Sequence, residues 1–169
     1  ATLEVGRQVR DRRYVHNING SNVEVVESQT LSALELTPKA WRDRAIFHLP
    51  TFQVESIEAT RPDGSVTIRR SGEDWRIEKP WSAPADSASI ENTVAALASL
   101  RVLTGEAGFV AHQVSDFAPY GLDKPELTVI LRGGGREPGR LDIGKPAPQP
   151  DDPKLDKNAE LRFARRDGG

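Results

Sequence analysis

Apolar and polar residues alternate most regularly over residues 54–60, 66–70, 75–79 and 127–132, and every second position there is apolar, as on a strand with one buried face. Arg61-Pro62-Asp63-Gly64 separates the first two runs and Ser71-Gly72-Glu73-Asp74 the second and third; both are turn sequences. The pattern predicts an antiparallel meander.

The period then changes. After a proline-bearing crossover at residues 80–85, Asp86 stands where a helix N-cap belongs. Ile90, Val94, Leu97 and Leu100 follow at helical spacing, predicting a helix over 87–101 that lies on one face of the sheet. A second helical turn is expected near 115–120, closed by Gly121, which lacks the Cβ that penalises a left-handed residue. Thr37-Pro38 carries the cap-then-proline signature of another short helix, running to Ile46. The expected fold is α+β: antiparallel sheet meanders, with one long and two or three short helices packed on one face. Its expected core includes Trp75, Ile77, Ile90, Val94, Leu97, Leu122 and Val129.

Two short matches suggest internal repetition. Leu3-Glu4-Val5-Gly6 returns as Leu141-Asp142-Ile143-Gly144, and Asn22-Val23-Glu24-Val25 as Asn158-Ala159-Glu160-Leu161, in the same order. On this reading residues 1–27 are the closing strands of a preceding unit and 28–169 form one complete unit. Strands at 3–9, 14–18 and 23–26 should then pair as 141–143 and 160–164 do. The lack of any methionine, an initiator included, fits a chain cut from a longer protein.

Charge narrows the partners. The 23 basic and 25 acidic residues are interleaved and sum to −2, so no field draws the chain to polyanions, and nucleic acid is not an expected partner. No apolar run approaches the roughly 20 residues that span a bilayer, so direct membrane insertion by this segment is not expected. The absence of cysteine removes disulfides, thiol nucleophiles and cysteine metal sites.

Candidate chemistry is sparse. His16, His48 and His112 fall in different expected elements, none with a second metal-type ligand at helical or strand spacing, so no metal is expected. Gly133-Gly134-Gly135 precedes a strand-like stretch rather than the helix a phosphate cradle requires, and reads as a hairpin loop. Asp151, Asp152 and Asp156 lack the alternate spacing and central glycine of a calcium loop. No serine sits in a nucleophile elbow, and no catalytic residue or cofactor is assigned. Trp41, Trp75 and Trp81 could form a stacking platform if exposed together. Trp75 is in phase with Ile77 and reads as core, leaving Trp81 as the candidate ligand-binding residue.

The run Gly72-Glu73-Asp74-Trp75-Arg76-Ile77-Glu78-Lys79-Pro80, then Ala85-Asp86 and the helix, then Tyr120-Gly121-Leu122-Asp123-Lys124-Pro125, resembles the bacterial DUF4340 family. The resemblance spans about residues 41–165. It takes in Trp41-Arg42-Asp43-Arg44 and Leu141-Asp142-Ile143-Gly144 as well. It implies a repeated extracytoplasmic module of a membrane-anchored envelope protein, often encoded beside ABC-transporter components of the gliding-motility type, and it brings no catalytic residues. The expected role is a non-enzymatic structural or interaction module. Its partners would be neighbouring repeats or envelope proteins, docked through sheet edges and a helix face. The alternative is a glycan- or peptide-binding module using Trp81 and adjacent loops.

Overall fold

The computed structural model describes residues 2–32, 41–103, 108–150, 155–156 and 158–166. The chain divides into two compact units, Ala1–Arg42 and Asp43–Gly169. The repeat pattern had placed the division after Glu27.

The first unit is a three-stranded antiparallel meander of β1 (Leu3–Val9), β2 (Arg12–Asn17) and β3 (Val23–Glu27), followed by a short helix α1 (Ser28–Ser32). Its strands alternate, yet most of their apolar side chains are exposed, and Val15 is the buried one.

The second unit is built on a seven-stranded antiparallel sheet. Its strands are β4 (Val54–Arg61), β5 (Gly64–Ser71), β6 (Asp74–Lys79), β7 (Ala83–Pro84), β8 (Leu127–Gly133), β9 (Gly139–Pro146) and β10 (Arg162–Arg166), in the order β10-β9-β8-β4-β5-β6-β7. The expected meander is β4-β5-β6. The register sets Leu131 opposite Ile57, Ile57 opposite Ile68 and Ile68 opposite Ile77. Paired residues of neighbouring strands point to the same face, so these four positions form one apolar row across the sheet. Helix α2 (Ser87–Ser99) covers this face with fully buried Val94, while Ile90 and Leu97 pack at the margin. Of the expected core, Trp75, Val94, Leu122 and Val129 are buried and Ile77, Ile90 and Leu97 are half-buried. The opposite face is polar. Arg76, Arg69, Ser56 and Arg132 lie in one row across it, with Arg69 paired to Glu78 at 2.9 Å and Arg132 to Glu58 at 3.1 Å.

Three expectations change. First, β-strands exceed helices, and among the described residues α2 is the one long helix; the turns at Thr51–Gln53 and Ala118–Tyr120 are single 3-10 turns. The several short helices packed on one face are therefore not observed. Residues 37–40 of the proposed N-terminal helix lie outside the described residues, Trp41 is helical, and 42–46 are not: Ala45 bridges Arg101 as in an antiparallel ladder. That pairing fixes the backbone where the expected helix would have continued to Ile46. Second, the two segments matched as repeats do not pair alike. β1 and β3 each pair with β2, whereas β9 pairs with β10 directly, and the ladder continues from the Ala147 N–H to the Leu161 carbonyl. The matched tetrapeptides share strand-type alternation, and that alone does not choose a partner. Third, α2 ends at Ser99 rather than at Arg101, because Leu100 turns to extended backbone, and the Arg101 guanidinium donates to the carbonyls of Ala98 and Leu100.

Candidate functional site

Residues of the family resemblance fall into two structural clusters. In the first, Trp75 is 1% exposed beneath α2. Its backbone N–H donates to the Ser87 hydroxyl at 3.2 Å, its indole N–H donates to Glu91 at 3.0 Å, and the Arg70 guanidinium lies 4.6 Å from its ring centre and pairs with Glu91 at 2.7 Å. A buried indole N–H needs such a partner, and the cation over the ring adds attraction. The Trp75 hydrogen bond holds the Glu91 carboxyl below its ordinary value, and Arg70 adds to the effect against a smaller cost of burial. Asp86 caps the same helix, accepting from the Ala88 and Ser89 N–H groups at 3.1 and 3.3 Å and from the Ser89 hydroxyl at 2.7 Å. These bonds hold its carboxyl below the ordinary value. Asp86→Ala should therefore lower Tm by several degrees, and Asp86→Asn, which still accepts from the helix N–H groups, should restore most of it in a thermal melt.

The second cluster joins two signatures far apart in sequence. Gly121 takes the left-handed conformation expected of it (φ +68°), after the 3-10 turn that contains Tyr120. That turn lies directly on β9: a Cβ on Gly144 would come within 2.2 Å of the Tyr120 carbonyl oxygen. Tyr-Gly-Leu-Asp-Lys-Pro and Leu-Asp-Ile-Gly are thus the two sides of one backbone contact. Tyr120 packs edge-on to Phe163 of β10, with ring centres 5.1 Å apart.

Beside this contact lies a feature that pattern reading missed. Asp142 is wholly buried, its oxygens accepting from the Thr128 hydroxyl at 2.8 Å, from Arg140 at 3.0 Å and from Arg165 at 3.1 Å, and the Arg165 guanidinium in turn lies over Phe117. Burial acts to raise its pKa, and the hydrogen bonds from Arg140, Arg165 and Thr128 more than reverse this, leaving the carboxyl below its ordinary value. All its lone pairs are directed at neighbours, so the group holds three strands together and is not presented to a substrate. A polar position between Leu141 and Ile143 resembles any solvated residue on an alternating strand, and sequence gives no hint of its distant partners.

The histidines remain dispersed: His16 sits 3.6 Å from Glu4 and His48 sits 3.4 Å from Asp43, both at the surface. Among the described residues no group of three or more histidine, aspartate or glutamate side chains is placed to hold a metal ion. Asp151 and Asp152 lie outside the described residues. Gly133, Gly134 and Gly135 all have positive φ and turn β8 into β9, the hairpin expected of them. No described helix is long and apolar enough to cross a membrane.

One concave surface stands apart from these clusters. A shallow cleft of about 390 Å³ lies at the β4–β5 turn on the apolar face of the sheet, lined by Ala59, Arg61, Asp63, Val66, Ile77 and Trp81 among others. Trp81 is 67% exposed and Val66 39%, in contrast to Trp75. Because Trp75 is buried, the three tryptophans do not form one exposed platform. Neither the Arg61 nor the Asp63 side chain has a hydrogen bond or ion pair among the described residues, whereas the charged residues around Trp75 and Asp142 are engaged within the fold.

The fold is thus a β-rich α+β protein whose signature residues hold its backbone together. The family model of DUF4340, a domain of unknown function, matches residues 1–102 and again 75–152, and the chain belongs to that family. No curated protein and no solved structure matches it.

Proposed function

We propose that this DUF4340 chain is a non-enzymatic binding module of a larger, membrane-anchored envelope protein, and that it engages its target through the cleft at Trp81. The observation that carries this reading is the pairing of an exposed indole with two charged side chains that have no partner among the described residues, at one concavity. Docking through the edges of the seven-stranded sheet is less favoured, because β7 is two residues long and ends in Pro84, while β10 carries Arg162, Arg165 and Arg166. Short, proline-bearing and charged strands are the usual ways a sheet edge is blunted. The extracytoplasmic setting and the accessory role beside an ABC-type or gliding-type transport system belong to this proposal and rest on the family resemblance.

The test is co-sedimentation of the parent protein's extramembrane region with isolated cell envelope. Trp81→Ala should leave Tm within a degree or two of wild type, since an exposed ring contributes little to the fold, and should abolish sedimentation. Sedimentation of Trp81→Ala equal to that of wild type would contradict the proposal.

A further inference from the structure

Resting on the reading of the Trp81 cleft as a binding site, we propose that its ligand is a neutral glycan, a β-linked hexose chain with one ring stacked on Trp81. The floor of the cleft is apolar, formed by Ala59, Val66 and Ile77, and one wall is the exposed Trp81 ring. Arg61 and Asp63 stand at its rim, on either side of Pro62 in the β4–β5 turn. A β-linked hexose has the complementary chemistry. Its axial C–H bonds make an apolar plane for an aromatic face, and its equatorial hydroxyls radiate from the rim of that plane, where each can donate to a carboxylate and accept from a guanidinium.

The two rim charges cancel. That favours an uncharged polyhydroxylated ligand over an anionic one, which would be drawn to Arg61 and repelled by Asp63. The volume lies within the roughly 300–1,000 Å³ typical of small-ligand sites. An extended peptide is the competing occupant, and the sheet disfavours it. Capture of a peptide by strand addition needs an unpaired edge beside the cleft, but β4 is paired on both sides by β5 and β8, and β5 by β4 and β6. What remains is a ring face, the Ser65 hydroxyl and the two charged side chains, a surface that recognises rings and hydroxyls rather than backbone.

The experiment follows the three tryptophan indole N–H resonances of the whole chain during titration with the neutral cellohexaose, laminarihexaose and chitohexaose, and separately with an apolar, leucine-rich peptide. The signal lost in Trp81→Phe assigns Trp81. Saturable movement of that signal with at least one oligosaccharide is expected, with the Trp75 signal unmoved. Trp81→Ala should weaken binding at least about tenfold, Trp81→Phe less, and Asp63→Asn and Arg61→Gln several-fold each, since a truncated central aromatic anchor costs more than a rim contact. If the peptide moves the Trp81 signal and no oligosaccharide does, the glycan assignment is overturned while the binding cleft stands. If none of the four probes moves it and Trp81→Ala still sediments with envelope as wild type does, the cleft itself falls.

Discussion

Replacing Asp142 by alanine should destabilise the second unit by about 3–5 kcal/mol, among the largest effects of any single substitution on its polar residues. The change removes the one acceptor shared by Thr128, Arg140 and Arg165, which come from three adjacent strands. It removes the carboxylate that two crowded guanidiniums share, and because both retain some solvent the effect should fall toward the lower end of that range. The sign of the pH dependence follows from the depressed pKa. Stability from this group is fully present above the unfolded carboxyl value of about 3.9 and is lost as pH falls through the lower folded value. Urea melts across the acid range should thus show a steeper loss of stability for wild type than for Asp142→Asn. Parallel acid limbs would show that Asp142 is not ionised in the native state.

Trp75→Ala should cost a similar amount, about 3–5 kcal/mol, for a different reason. Here the loss is of a fully buried ring beneath α2, and with it go the partner of the Glu91 carboxylate and the surface under Arg70. Trp75→Phe separates the two contributions, since it restores much of the ring and none of the N–H bond. It should recover more than half of the loss in a denaturant melt. Recovery of almost nothing would place the hydrogen bond, not packing, at the centre of that cluster.

The parts of the fold legible in sequence are those fixed by short-range geometry. The alternation of β4, β5, β6 and β8, the Asp86 cap and the left-handed Gly121 each depend on neighbours within a few residues, and each lies where that local chemistry places it. The parts that were not legible depend on distant partners. Nothing in residues 127–133 says that β8 inserts beside β4 and not beside β6 or β7. Likewise nothing in Leu141-Asp142-Ile143 says that the carboxylate is buried by Arg165, 23 residues away. The expected extent of the N-terminal helix to Ile46 fails for the same reason, since Trp41 is helical but Ala45 pairs with the distant Arg101.

The candidate site was half legible. Trp81 stood out because it lies outside the alternation that buries Trp75, but its neighbours Arg61 and Asp63 looked like an ordinary turn. Their role depends on the crossover after β6 returning Pro80 and Trp81 to the β4–β5 end of the sheet.

Trp81 is proposed to face a target, while the family's signature residues serve the fold. Photo-cross-linking in living cells tests this most directly, with benzoylphenylalanine placed in the full-length parent at position 81 and, as a control, at position 93 on the solvent-exposed side of α2. Adducts with one defined envelope component from position 81, and none from position 93, are the predicted result. Equal adducts from both positions, or none from position 81 in a stably folded parent, would contradict it.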